Sequence, residues 1–134
     1  MRADPIVDSS VMGVLNIYAI AFEKRDIERI VSLFSPDGDL ITIGLGADEK
    51  KTGLAELTRQ IKKEASRSEK SSIEFTWHMV SSSGNVAWVA ADVIMHEKYD
   101  GEEVDYPLRL TAVMEQRGPR WLISQMHKSL PAAI

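Results

Sequence analysis

Residues 86–116 read VAWVAADVIMHEKYDGEEVDYPLRLTAVMEQ. Two runs rich in β-branched and apolar residues flank Asp100-Gly101, a dipeptide that favours a two-residue hairpin turn because both of its residues tolerate positive φ. Such a turn places Tyr99 opposite Glu102 and sets the register of both strands. Val93 then faces Leu108, Ala91 faces Leu110, Val89 faces Ala112 and Ala87 faces Met114, so this face is apolar throughout. The other face pairs Trp88 with Val113, Ala90 with Thr111, Asp92 with Arg109 and His96 with Asp105. Opposite charges meet twice across the ladder, as cross-strand pairing favours. One register satisfies both faces, and the rest of the chain is read around this hairpin.

A length of 134 residues suits one domain, 1–134, with a core of its own. Hydrophobic residues make up 44% and charged residues 27%, ordinary for a globular protein. The net charge of −4 and the mixed signs around Lys62, Lys63, Glu64 and Arg67 to Lys70 read as a solvated helix face, so no nucleic-acid partner is expected. The absence of cysteine excludes disulfides, thiolate catalysis and cysteine-ligated metals. The N-terminus does not read as a signal peptide, and no apolar run approaches bilayer-spanning length. These features predict a cytoplasmic protein without a membrane partner.

Asp4 and Pro5 suit the cap and first position of a helix. Val7, Val11, Val14, Leu15, Tyr18 and Phe22 then recur at helical spacing as one stripe. Asp26 caps a shorter helix that turns Ile27, Ile30, Val31 and Phe34 inward. Pro36-Asp37-Gly38 is a turn, and residues 39–43 read as a short strand. Gly44 to Lys51 form a charged surface loop; its Gly44-x-Gly46 lacks the third glycine and the βαβ setting of a phosphate-binding turn. Thr52 is placed to cap a third helix ending near residue 66, with Leu54, Leu57, Ile61 and Ala65 on one side. Ser66 to Ser72 form a polar link. Ile73, Phe75, Trp77 and Met79 alternate with the period of a half-buried strand. Ser81 to Asn85 turn into the hairpin, Gly118-Pro119 make the last turn, and Trp121 to Ser129 the last strand. Three helices and an antiparallel meander make an α+β fold. Its sheet curves strongly around the long first helix.

These elements resemble the nuclear transport factor 2-like superfamily, whose best-known enzyme is ketosteroid isomerase, and within it the SnoaL-like group. The resemblance is carried by Gly44-Leu45-Gly46-Ala47-Asp48-Glu49 with Gly53, by Gly84-Asn85-Val86-Ala87-Trp88, by Arg109-Leu110-Thr111-Ala112-Val113, and by Trp121-Leu122-Ile123 with His127-Lys128-Ser129 and Pro131. It implies a cone-shaped barrel, a mostly apolar cavity and a homodimer. It implies no single activity, because function on such a fold lives in the site. Tyr18 resembles the isomerase's donor tyrosine in its placement, but Leu40, Ile41, Thr42 and Ile43 offer no carboxylate where the base would stand. Steroid-type isomerisation is therefore not expected.

Five residues are candidates for a ligand site: Tyr18, Trp88, Asp92, Arg109 and His127. Asp92 and His127 are the candidate catalytic groups. If Asp92 and Arg109 line the cavity, the arginine holds an anionic or carbonyl oxygen and the aspartate orients it or acts as base. If the wholly apolar face packs on the helices instead, they form an outer ion pair that contributes well under about 1 kcal/mol. The resemblance favours the mixed face as the cavity wall. For His127 the last turn decides: two residues at Gly118-Pro119 pair Arg117 with Arg120 and send His127 to the other face, whereas one further loop residue returns it to the face of Arg109. The second is expected. The histidines share no close ligand spacing, so neither a metal nor another cofactor is expected. The predicted protein binds a small apolar molecule with one polar group, as a homodimer, and if an enzyme is a cofactor-independent isomerase, cyclase or dehydratase. The alternative is a non-catalytic association or ligand-sensing module, like the oligomerisation domain of a multifunctional kinase in the same superfamily.

Overall fold

A computed structural model of the chain describes residues 1–133. Three helices, α1 (Pro5–Lys24), α2 (Ile27–Val31) and α3 (Gly53–Arg67), lie with six strands: β1 (Ile41–Ile43), β2 (Lys50–Thr52), β3 (Lys70–Ser83), β4 (Val86–Tyr99), β5 (Glu102–Arg117) and β6 (Arg120–Ser129). The strands form one open sheet in the order β2-β1-β6-β5-β4-β3. β3 to β6 are an antiparallel meander, and β1 joins β6 in parallel. β2 takes Lys50 and Lys51 from the stretch expected to be loop and ends on Thr52, the expected cap of α3.

The β4–β5 hairpin has the register read from the sequence, with Val93 opposite Leu108 and Asp92 opposite Arg109. Asp100 (φ 49°) and Gly101 (φ 83°) both sit in the left-handed region, the conformation of a turn that matches strand twist. The apolar face is the inner one. Ala87, Val89, Ala91 and Val93, with Leu108, Leu110, Ala112 and Met114 opposite, are each at most 4% exposed. All of them but Ala91 pack with Val11, Leu15 and Tyr18 of α1 in one core. The cause is the hydrophobic effect: covering the mixed face with helices would have removed Asp92 and Arg109 from water.

Two β-bulges break the simple alternation. In β3 the pairing shifts between Phe75 and Trp77, leaving Thr76 as an extra residue whose hydroxyl lies 3.4 Å from the Asp92 carbonyl oxygen. Ile73 and Phe75 therefore pack on the core, whereas Trp77 and Met79 turn to the outer face, 48% and 43% exposed. The expected strict alternation through Met79 is corrected at this point. In β6 the shift falls between Val113 and Met114 of the facing strand, and Ser124 is the extra residue, its hydroxyl donating to the Val113 carbonyl at 3.1 Å. Each bulge slips the register by one, which exchanges the faces of every residue beyond it.

Helix caps tie the remaining elements down. Asp4 accepts from the Val7 amide (2.9 Å) and Asp26 from the Arg29 amide (3.2 Å). Thr52 occupies the cap position of α3, but its side chain makes no capping bond; Glu56 instead accepts from the Thr52 amide. Arg25 ends α1 in the left-handed conformation and sends its guanidinium to the carbonyls of Ala65 and Ser68 at the end of α3. It thereby ties the end of α1 to the end of α3. Replacing it, Arg25→Met, leaves those carbonyls without charged donors; the expected cost is about 1.5–3 kcal/mol. A thermal melt should show a midpoint lowered by roughly 5–10 °C, and an unchanged midpoint would refute this account of the tie between α1 and α3.

Candidate functional site

The inner face of the sheet, α1, α3 and the 44–49 loop line a chamber of about 120 Å³, open to solvent beside Leu45, Arg67 and Tyr99, and a recess of about 30 Å³ continues from it. Gly44, Glu49, Glu64 and Lys128 border both. A larger hollow of about 510 Å³ lies at the end of the hairpin, but it is an open groove of charged side chains. The chamber better fits a ligand site, because charged groups converge there on a wall that Phe22, Leu45, Met95, Tyr106 and Leu108 make partly apolar.

Lys128 is the charged pole of this chamber. The Ser124 bulge pairs it with Leu110 on the inner face. Its Nζ lies 3.4 Å from the Tyr18 hydroxyl and 5.9 Å from the centre of the Phe22 ring. Burial opposes the ammonium charge, but Tyr18, Glu64 and Glu49 outweigh it, and the lysine pKa stands above its ordinary value. These neighbours favour the ammonium over the neutral amine.

The counter-charges come from one loop and one helix. Residues 44–49 wrap around the Glu49 carboxylate: Oε2 accepts from the Gly46 amide (2.7 Å) and Oε1 from Gln60 Nε2 (3.0 Å). A Cβ at residue 44 would come within 2.9 Å of Glu49 Oε1, and one at residue 46 would collide with Oε2, so this wrapping requires both glycines. Gln60 is 7% exposed, and its amide also donates to Glu64 Oε1 at 3.1 Å. One buried amide therefore orients two carboxylates. Glu49 has both oxygens engaged, whereas Glu64 keeps its second oxygen for the cavity.

A third carboxylate stands at the opposite wall. Glu97 accepts from the Tyr99 hydroxyl (2.6 Å) and from that of Tyr106. Burial, then the bond to Glu97, pushes the Tyr99 phenol up to about 12 and raises that of Tyr106 as well. The cavity can thus hold an apolar body by its walls while presenting a cation, a hydroxyl and free carboxylate oxygen to a polar group.

The structure does not bring the five sequence-predicted residues together. Tyr18 is inside, 5% exposed and beside Lys128. Trp88, Asp92, Arg109 and His127 lie on the outer face, all exposed. No salt bridge joins Asp92 and Arg109 among the described residues, although their register is the predicted one. His127 does share the face of Arg109, but by a different route: the turn has two residues, Arg117 pairs with Arg120, and Ser124 supplies the shift. The correction has one cause: the apolar face packs on the helices, so the mixed face looks outward. At the hairpin end His96 lies between Asp105 (2.8 Å) and Glu74 (2.9 Å), whose hydrogen bonds raise its pKa.

Of the residues that do line the cavity, several carried readable signals. Gln60 and Glu64 share the stripe of Leu57 and Ile61 at helical spacing, polar groups on an apolar face. Glu97 and Tyr106 have the inward parity of the hairpin. Lys128 had no such signal, because its direction depends on the Ser124 bulge.

The model of the SnoaL-like domain matches residues 11–133. The chain belongs to the SnoaL-like family. Solved structures agree in fold. A candidate dehydratase of the NTF2-like family from Streptomyces avermitilis is 21% identical, with 97% of this chain and 100% of that one aligned at a TM-score of 0.87. A candidate scytalone dehydratase from Novosphingobium aromaticivorans is 12% identical, with 95% and 85% coverage and a TM-score of 0.81. A candidate calcium/calmodulin-dependent protein kinase II association domain from Xanthomonas campestris is 18% identical, with 92% and 87% coverage and a TM-score of 0.81. No functionally curated protein matches the chain.

The tyrosine pair at the wall gives the site a measurable alkaline signature. The fold favours the neutral phenols, so this contribution is complete below pH 10 and is lost as pH rises from 10 towards about 12. Thermal midpoints of the wild type should fall across that interval, and those of Tyr106→Phe should fall less steeply. Identical pH profiles would show that Tyr106 and Glu97 are not coupled as described.

Proposed function

We propose that this protein binds a small, largely apolar molecule in the interior chamber, with one polar group of that molecule held at Lys128 and Tyr18. The observation that carries the reading is Lys128 itself: an ammonium turned into an apolar-walled cavity with a single 3.4 Å hydrogen bond retains donors for a ligand. Glu64, with one free oxygen, stands where it can take or return a proton. A carboxylate base opposite a fixed cation suits proton transfer next to a carbonyl, with the developing oxyanion stabilised by Lys128 and Tyr18. That is the chemistry of cofactor-independent isomerisation, cyclisation or dehydration. The likeness to candidate dehydratases is consistent with it. The chamber's size points to a molecule of one ring or a short chain, well below the 300–1,000 Å³ class that holds drug-sized ligands.

The test is a titration of cyclohexanone followed by amide chemical shifts. Binding should perturb Phe22, Met95 and Leu108, and Lys128→Met should weaken it by roughly tenfold, the loss of one charged hydrogen bond. Perturbations confined to the outer face would overturn the reading.

The second reading, a non-catalytic association module, is favoured by the small chamber, into which the chain's own lysine already projects. It predicts assemblies larger than a dimer. Under the first reading the outer face seats one further copy of the chain in a cytoplasmic homodimer. Trp77, Met79 and Trp88 adjoin there and are 42–48% exposed, the kind of residues that enrich interface cores. The accessible surface of 7801 Å² also exceeds the approximately 7,000 Å² expected of a 15 kDa monomer. Light scattering at micromolar concentration should return a dimer burying at least about 1,000 Å², and Trp88→Glu should return a folded monomer. A monomer mass for the wild type would refute the dimer, and a mass above a dimer would favour the module.

A further inference from the structure

The charge balance of the chamber says something about the ligand that its shape does not. Three carboxylates border it, Glu49, Glu64 and Glu97, against Lys128 in the interior and Arg67 at the exposed rim. Charge on an exposed arginine is screened by water, whereas the interior groups act through a less polar medium. Lys128 offsets one of these three charges, and among the described residues no salt bridge reaches Glu49: its oxygens accept from the Gly46 amide and from Gln60, both uncharged donors. Glu97 likewise accepts from two phenols. Hydrogen bonds from neutral donors satisfy these oxygens but leave the negative charge in place. The Lys128 ammonium is held over the Phe22 ring within this negative surround. Phe22 and Tyr106 also line the chamber, and aromatic rings are favourable neighbours for a cation.

We propose that the chamber is a charge filter formed by Glu49, Glu64 and Glu97, which admits a small molecule bearing a protonated amine and turns away the corresponding carboxylic acid. The amine sits between Glu64 and Glu97 against the aromatic walls. Lys128 occupies part of the same field as a tethered cation. This rests on the interior chamber being a ligand site and adds the charge of the ligand. It also inverts what the Arg109–Asp92 pair suggested, since the arginine that would have attracted an acid lies outside.

The experiment uses three molecules with one frame: benzylamine, benzyl alcohol and benzoate, each titrated into the intact protein at neutral pH and followed by amide chemical shifts. Benzylamine should bind at least roughly tenfold more tightly than benzoate, with the alcohol between them, as expected for one uncompensated charge at close range. Glu97→Gln should weaken benzylamine severalfold and leave the alcohol nearly unchanged. Lys128→Met should strengthen benzylamine, because it removes the tethered competitor, whereas the same change weakens cyclohexanone. Glu64→Gln serves as the second test should Glu97→Gln lose its native circular dichroism. If the alcohol binds in the chamber but benzoate binds as well as benzylamine, the charge filter falls and the ligand site stands. If none of the three, nor cyclohexanone, perturbs the chamber, both fall.

Discussion

The structure depends on covering one face of one hairpin. Eight residues of β4 and β5 bury an unbroken apolar surface that no polar substituent interrupts. Water exclusion from that surface is the largest favourable contribution available to a chain of this size. It draws α1 across the sheet, and α1 in turn is held by Asp8, which accepts a hydrogen bond from or pairs with His78 of β3 at 3.1 Å. By composition α1 is long and apolar enough to cross a membrane, yet its buried residues, Val11, Leu15 and Tyr18 among them, are core residues here. The polar, charged face of the hairpin must then look outward.

Two single-residue insertions convert this plain layer into a cone with a site. Thr76 and Ser124 each leave one residue unpaired and rotate the remainder of their strands relative to the partner. Without the first, Trp77 and Met79 would compete for the core; with it, they join Trp88 on the outer face. Without the second, Lys128 would lie outside and His127 inside. The chamber's charge and the outer face's apolar patch thus both arise from departures from regular pairing, the kind of departure that is tolerated where a side chain must be re-aimed.

Inside the chamber the polar groups are interdependent. A buried ammonium is costly unless opposite charge is near. Glu49 and Glu64 supply it, and both are held in place by the one amide of Gln60. Glu49 reaches that position because two glycines let the backbone of its loop close around its own carboxylate. The glycines of this loop serve a side chain of the same loop.

The sequence by itself determined the hairpin turn, the β4–β5 register and the order of elements apart from β2, because each rests on local periodicity or turn chemistry within a few residues; the family was legible as a resemblance of motifs spread over most of the chain. The register even matched residue for residue from Tyr99↔Glu102 to Ala87↔Met114. It also contained the polar positions on the α3 stripe and the inward parity of Glu97. Only the tertiary structure decided which face of the hairpin the helices cover, since both faces offered apolar residues and the choice is a comparison of whole burial energies. Only the tertiary structure placed the bulges, because Thr76 and Ser124 carry no local signal and their insertion is resolved by packing on both sides. A one-residue slip exchanges inside and outside, so that is where Lys128 entered the cavity and Trp88, Asp92, Arg109 and His127 left it.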